Sequence, residues 1–420
     1  MNYLMVLPVP FYRVSDNEAA TESAFHKHLR LLLGSLPEEV SRITIAAPLM
    51  DQDRYEERKG TLSTFNETNE RIFFYPLEPA SVGRLRYWMR HLLPSAVKIW
   101  QEVGRSGVVH SGPTHLFLPR DFLAIFFAFL RRKHSVFVVD IDWRRSAWMN
   151  WKTGTFSRKS YLLARYVYDP FYSLQVRLAP LICSLVLLKS EKLVRDYGRG
   201  KEHVKNFLDA AHSAHHIIPG DALSAKIHRQ LKPGAPMKLV YFGRLTAYKG
   251  VEHMISAIKS LTDQGINDIT LDVIGVGEDE QRLRALAADA NLEGIVNFPG
   301  PIQFGLPLFE KLRGYDLLLA APLDADTPRS ALDAMASGVP ILAYDTDYYV
   351  DLRNLSRAVE VVPWLDQRKL ADAILQLHND RESLAAMSNA AVKFATANTQ
   401  EDWLERRAAW TRKYCFPEPA

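Results

Sequence analysis

Cysteine is almost missing: Cys183 and Cys415 are the two thiols in 420 residues. Two cysteines cannot build the framework of a disulfide-stapled secreted domain, and their scarcity points to a reducing compartment. Long apolar runs are missing too. The longest, Phe122 to Leu130, has nine residues before Arg131, Arg132 and Lys133 close it, whereas a membrane-spanning helix needs about 18–20. The opening MNYLMVLPVPFYR has no basic stretch ahead of its apolar run and no small-residue cleavage site, so a secretory leader is not expected there. No internal repeat or low-complexity tract is visible, which sets aside solenoids and fibrous chains. An overall excess of one charge is also absent. Fifty-two Lys and Arg face 48 Asp and Glu, a net of +4, and no nucleic-acid partner is expected on that ground.

What the chain has is an ordinary globular composition, 47% apolar and 24% charged, and enough length for two domains. Its charge is unevenly placed. From Arg84 to Arg165, fifteen Lys/Arg stand against four acids, a net of +11, and the rest of the chain carries −7. Such asymmetry suggests an anionic partner surface or substrate. Within this stretch Leu85, Trp88, Met89, Leu92, Leu93, Ala96, Val97 and Trp100 recur at helical spacing over Arg84 to Gln101, with Pro94 placed to kink the helix. Packing on a sheet is the expected fate of that apolar stripe. Arg131, Arg132 and Lys133, then Arg144, Arg145, Lys152, Arg158 and Lys159 with Trp143, Trp148 and Trp151, read as a basic, aromatic surface that fits an anionic membrane.

Short apolar runs alternate with helical patterns. Strands are expected at Tyr3–Leu7, Arg42–Ala46, Arg71–Tyr75, Val108–His110, Val136–Asp140 and Ser184–Leu188, with a helix over Asn17–Leu33. After the polar Pro/Gly stretch 228–236 the alternation restarts, at Lys238–Phe242, Thr270–Ile274, Ile295–Phe298, Leu317–Ala320 and Ile341–Tyr344. Such alternation describes two doubly wound α/β domains with parallel sheets, joined near residues 225–236. Ligands of these sheets sit at the carboxyl ends of strands.

Two such strand ends carry chemistry. Gly243-Arg244-Leu-Thr-Ala-Tyr-Lys249-Gly250 follows one strand and leads into a helix, so Arg244 and Lys249 are placed to meet a phosphate or diphosphate. The plainer alternative is two solvated loop charges. After Leu317–Ala320 comes Ala321-Pro-Leu-Asp324-Ala-Asp326-Thr327-Pro328-Arg329-Ser330, then Asp333 and Gly338. Thr327 reads as an N-cap, Pro328 as the first helical residue and Gly338 as the stop. The N–H groups of Arg329 and Ser330 would then favour an anion, and Asp333, on the face of Arg329, could accept hydrogen bonds from sugar hydroxyls. Asp324 and Asp326 also fit simple turn chemistry. His212, His215 and His216 form a cluster without Cys or a nearby acid, and no metal site is expected from it.

Gly-Arg-x4-Lys-Gly, Val273-Ile-Gly275-Val-Gly277-Glu278, Val296-Asn-Phe298-Pro-Gly300 and Asp333-Ala-Met-Ala-Ser-Gly-Val-Pro340 stand in one order. In that order and spacing they resemble the C-terminal domain of the family-four, group 1 type, retaining glycosyltransferases. The resemblance is good over about 236–400. It is weaker in the first half, where it rests on Val108-Val-His110, Leu187-Leu-Lys-Ser190-Glu191 and Ile217-Ile-Pro219-Gly220.

The resemblance implies a GT-B fold, two Rossmann-like domains facing across a cleft. Residues 1–230 would form the acceptor-side domain, with a C-terminal helix near 400–420 packing back on it, and 231–400 the nucleotide-sugar domain. It implies a hexosyl transferase acting with retention, moving sugar from a nucleoside diphosphate to a lipid-linked or glycan acceptor in envelope or exopolysaccharide synthesis. The place would be the cytoplasmic face of the membrane, and no metal or other cofactor is needed. Gly243, Arg244, Lys249, Thr327, Arg329, Ser330 and Asp333 would bind the donor, and Asp142 and Arg144 would lie on the acceptor side. His110, Asp324 and Asp326 are the candidates for the chemistry. Ala325 stands where relatives carry the first glutamate of a Glu-x7-Glu motif, with Asp324 and Asp326 on either side as possible substitutes. A catalytically silent nucleotide-sugar binder or scaffold, and a nucleotide-sugar epimerase, are the alternatives that pattern leaves open.

Overall fold

The protein was analysed as a computed structural model, which describes residues 1–416. The chain divides into two compact units. One comprises residues 1–140, 162–207 and the C-terminal residues from 404; the other comprises 141–161 and 208–403. The polar Pro/Gly stretch 228–236 therefore lies inside the second unit.

In the first unit the strands are β1 (Asn2–Val6), β2 (Tyr12–Ser15), β3 (Glu18–Glu22), β4 (Arg42–Leu49), β5 (Leu62–Asn66), β6 (Ile72–Pro79), β7 (Val108–Ser111), β8 (His134–Val139), β9 (Leu185–Leu188) and β10 (Val204–Asn206). Seven of them make a parallel sheet in the order β10-β9-β8-β7-β1-β4-β6. Near-continuous Val, Ile and Leu in these strands is what a sheet covered on both faces demands.

The expected helix over Asn17–Leu33 is corrected. Residues Glu18–Glu22 pair antiparallel with β2 and β5 in a small three-stranded sheet, and the helix runs Ser23–Ser35. Ala and Glu favour a helix locally, but Ala19 and Ala20 are buried in this sheet, and tertiary pairing overrides weak propensity.

A second correction concerns Arg84–Gln101. The segment is one short helical turn, a π turn at Tyr87–His91, and a helix from Leu92 to Arg105. Pro94 has no N–H to donate into the preceding turn, and the wider π turn lies just ahead of it. The apolar stripe does not pack on the sheet. Leu85 is 73% exposed, Met89 68% and Leu93 75%, with Trp88, Val97 and Trp100 also exposed. The sheet-facing side is taken by Ser95, Ile99, Glu102 and Val103, and Ile99 and Val103 already fill the core over β1 and β7. The neighbouring helix Arg120–Leu130 adds exposed Phe126, Phe129 and Leu130. The two helices meet where Trp100 stands edge-on to Phe127, and the Arg131 guanidinium lies 4.0 Å from the Trp100 ring centre.

In the second unit β11 (Met237–Phe242), β12 (Ile269–Ile274), β13 (Val296–Gly300), β14 (Leu317–Ala320), β15 (Ile341–Tyr344) and β16 (Val359–Val362) form a parallel sheet in the order β13-β12-β11-β14-β15-β16. One core layer lies under helices Val251–Asp263 and Gln367–Asn379, and the other under Leu306–Arg313 and Ser330–Ala336. The strand order reverses between β11 and β14, which makes their carboxyl ends the topological switch point of this sheet. β16 and β10, four and three residues long, have no separate apolar run and escape a reading of the sequence.

Candidate active site

The charged loops after β11 and β14 come together in the second unit. Gly250 has φ of +66°, and a Cβ there would stand 1.9 Å from the carbonyl oxygen of Ala321. Only a glycine lets the loop after β11 touch the backbone of the loop after β14 so closely. Leu323 N–H then donates to Tyr248 O at 2.7 Å.

Around that contact Lys249 Nζ donates to Asp326 Oδ2, both side chains being largely buried. The Lys249 ammonium also lies 5.0 Å from the Tyr248 ring centre, and Arg244 Nη2 donates to the Tyr248 hydroxyl at 3.3 Å. Arg244 itself is exposed at the strand end, beside Gly243. The two cations therefore share one aromatic support.

The loop Ala321–Arg329 is held from several sides. Tyr348 Oη donates to Pro328 O at 2.9 Å and Trp364 Nε1 to Pro322 O at 3.0 Å. Asp326 Oδ1 accepts from Thr327 N–H at 3.0 Å, and Asp324 Oδ1 from Ala325 N–H at 2.7 Å. The other Asp324 oxygen accepts from Asn150 Nδ2 at 2.7 Å.

The helix after this loop spans Ser330–Ala336, so it starts two residues later than a Thr327 cap would place it. Arg329, not Thr327, occupies the cap position, without a side-chain cap hydrogen bond. Asp326 already satisfies the Thr327 N–H, which keeps Thr327 and Pro328 in the loop. Gly338, at φ +67°, ends the helix as the sequence suggests. Arg329 Nε stands 4.0 Å from Asp209 Oδ2.

Asp333 is more deeply placed than a carboxylate greeting a ligand in the open, at 4% exposed. Burial pushes its pKa up to about 7, with Arg329 opposing. Its Oδ1 stands 3.9 Å from His212 Nδ1, and neither atom has a hydrogen-bond partner. His212 Nε2 is bonded to Ala395 O at 2.9 Å, and burial lowers its pKa. His216 belongs elsewhere: Nδ1 accepts from Ser213 N–H and the ring stacks on Phe309. Among the described residues no group of three His, Cys, Asp or Glu could hold a metal ion.

Asp142 caps helix Trp143–Lys152 and ion-pairs with Arg144, with Arg144 Nε to Asp142 Oδ1 at 2.8 Å. The pair therefore builds the helix start before it does anything else. Two members of the expected basic, aromatic surface are likewise engaged within the second unit: Arg145 with Asp347 at 2.8 Å, and Trp148 against Trp364 at 5.1 Å between ring centres.

In the first unit His110 lies at the end of β7, 5% exposed and bonded through Nδ1 to Tyr3 Oη at 3.0 Å. Burial, with smaller contributions from Arg407 and His28, pushes its pKa down to about 3, so the ring is neutral near pH 7.

Reading the sequence did not find Asn150, Tyr248, Tyr348 or Trp364, and it placed His212 in a histidine cluster without a nearby acid, whereas His212 stands beside Asp333. Asn150 precedes Asp324 by 174 residues, and no spacing rule connects them.

This arrangement belongs to a known architecture. Over 98% of its length the chain superposes on all of a crystal structure of HepE from Anabaena in complex with UDP, with a TM-score of 0.64 at 15% identity. It superposes on WaaG, a glycosyltransferase involved in lipopolysaccharide biosynthesis, with a TM-score of 0.61 at 11% identity, covering 96% of this chain and 98% of that one. The fold is thus GT-B, with two Rossmann-like domains.

Within it, residues 224–394 match the family model described as glycosyl transferases group 1. The resemblance carried by the four motifs is borne out over that segment. A putative colanic acid biosynthesis glycosyltransferase, WcaL of Salmonella typhimurium, is 25% identical over 189 residues, 43% of this chain and 46% of its own. A GDP-mannose-dependent alpha-(1-6)-phosphatidylinositol monomannoside mannosyltransferase of Mycobacterium tuberculosis is 25% identical over 197 residues, 46% of this chain and 51% of its own. The chain thus spans about half the length of the curated relatives it matches.

Proposed function

We propose that this chain is a retaining hexosyltransferase that moves sugar from a nucleoside diphosphate to a lipid-linked or glycan acceptor in envelope polysaccharide synthesis. The observation that carries this reading is the convergence of Arg244, Lys249 and Asp326 at the switch point of the sheet, inside the segment that matches the group 1 glycosyl transferases. In the reaction the bond from the anomeric carbon to the diphosphate oxygen breaks, and the acceptor oxygen takes its place on the same face and loses its proton. Negative charge grows on the departing diphosphate. Arg244 and Lys249 stabilise it, and the first N–H groups of helix Ser330–Ala336 add to them; one such donor is typically worth about 3–4 kcal/mol. The Lys249 ammonium has three N–H donors, so it can meet the diphosphate while still holding Asp326. HepE with UDP-glucose and the GDP-mannose-dependent relative suggest the two donors to try first. Purified protein should slowly release UDP or GDP from one of these, faster with a glycan or polyprenyl-linked acceptor. Binding of UDP or GDP with no release from any sugar nucleotide would favour the silent binder, and sugar interconversion without release the epimerase.

The acceptor side supports an anionic membrane surface at the cytoplasmic face. The exposed Leu85, Met89 and Leu93 lie among exposed Arg84, Arg86 and Arg90, the composition of a helix that lies in a lipid interface. No helix among the described residues is long and apolar enough to cross a membrane. The protein should sediment with phosphatidylglycerol vesicles and be released by salt. Replacing Leu85, Met89 and Leu93 together by Ser should abolish sedimentation, and neutralising Arg131, Arg132 and Lys133 should weaken it. Equal binding to neutral vesicles would contradict the electrostatic part.

A further inference from the structure

The notable neighbour of the candidate site is helix Trp143–Lys152. It follows β8 in sequence, yet it makes three contacts with the segments around β14, β15 and β16 of the second unit. Arg145 Nη1 reaches Asp347 Oδ1 at 2.8 Å. One turn on, Trp148 packs against Trp364, whose indole N–H holds Pro322 O at 3.0 Å. At the helix end Asn150 Nδ2 donates to Asp324 Oδ2 at 2.7 Å and to Ser146 O at 3.0 Å. The Asn150 amide is thus fixed by its own helix before it meets the loop. Pro322 and Asp324 belong to the same loop, so the helix grips it twice, once through the Trp364 indole and once directly.

The two loop carboxylates consequently have different partners. Asp326 is neutralised by a cation, Lys249. Asp324 faces a neutral amide, so no ammonium offsets its carboxylate there. A carboxylate without a paired cation suits the stabilisation of positive charge developing on a sugar ring. An acid already paired with an ammonium is poorly suited to that task, and its natural place is beside the diphosphate.

We infer that Asn150 is a positioning residue that orients Asp324 toward the donor sugar, and that helix Trp143–Lys152 is part of the donor site. This rests on the transferase reading above. Conformational restraint of this kind matters because a catalytic group held loosely by as little as 1 Å costs orders of magnitude in rate.

Two measurements test it. The first does not depend on what the protein binds. Hydrogen exchange of the loop 321–329 should quicken at least fivefold in Asn150→Ala, while the amides of β11 and β12 stay as they were. Unchanged exchange would overturn the clamp. The second uses UDP-glucose and GDP-mannose, whichever the wild type hydrolyses. Asn150→Ala should lower kcat at least tenfold with KM within threefold and UDP or GDP affinity within twofold. Asn150→Gln should recover part of kcat. In an Asp324→Ala background, Asn150→Ala should have no further effect. An Asn150→Ala enzyme with wild-type kcat, or losses that multiply in the double variant, would overturn the positioning role. A wild type that binds neither diphosphate would overturn the transferase reading, while the exchange experiment still decides whether Asn150 holds the loop.

Discussion

Two strand ends in this molecule look alike on paper and differ in chemistry. His110 stands one residue before the end of β7 in the first unit, and the Asp324–Asp326 segment follows β14 in the second. The imidazole is sealed: its Nδ1 is bonded to Tyr3, and its pKa is pushed down to about 3 by burial. The loop after β14 remains half-buried, with the Lys249 ammonium on Asp326 and the Asn150 amide on Asp324. Position at a strand end is therefore insufficient to make a polar residue available. What counts is whether the loop beyond it leaves room, and the depth of the group sets its protonation.

The comparison is sharpest in its response to pH, because the buried groups of the two units should pull in opposite directions. The folded-state pKa of Asp333 is raised from 3.8 to about 7, so the folded protein binds the extra proton. Its presence costs stability progressively as pH rises from about 4 to 7, by up to about 1.4 kcal/mol per pH unit. Asp333→Asn should therefore gain in melting temperature relative to wild type across that window. For His110, lowered from 6.5 to about 3, the unfolded chain takes up the proton first, so stability is lost as pH falls below 6.5. His110→Gln should gain relative to wild type as the pH is lowered. Parallel difference curves for the two variants would break the comparison.

Next in size is the effect on binding. Lys249→Ala removes a charge-assisted partner and leaves Asp326 to repel a diphosphate, so UDP affinity measured by calorimetry should fall roughly ten- to hundredfold, about 1.5–3 kcal/mol. Adding Asp326→Ala should recover part of that loss. Equal affinity in wild type and Lys249→Ala would remove the cation from the site.

The smallest effect is expected on the sealed side. Tyr3→Phe strips His110 Nδ1 of its partner and should cost about 1–2 kcal/mol of stability, read by chemical denaturation. UDP affinity should not change. A tenfold loss of UDP affinity in Tyr3→Phe would show that the first strand end is less closed than it looks.

How much of this was legible in the sequence follows from the range of the interactions involved. The parallel strands of both sheets are apolar runs bounded by turns, and β14 and β15 match their expected limits residue for residue. Gly243, Arg244, Lys249 and the loop with Asp324 and Asp326 were readable because strand, loop and helix follow one another locally. The antiparallel strand Glu18–Glu22 was not, since its pairing with Leu62–Asn66 is long-range. Nor was the exposure of Leu85, Met89 and Leu93: periodicity states that residues share a face, but not which way that face points. Asn150 and His212 lie far in sequence from the carboxylates they approach, and only the fold brings them there.

The close approach of Gly250 to Ala321 has a bearing on anyone who would retune this molecule. With backbone touching backbone, the spacing between Lys249 and Asp326 is set by main-chain geometry and not by side-chain choice. A mutagenesis library aimed at the proposed donor site would waste its diversity at residue 250, where any side chain would collide with the Ala321 carbonyl. Variation is better spent at Ala325, whose methyl group makes no polar contact in the loop.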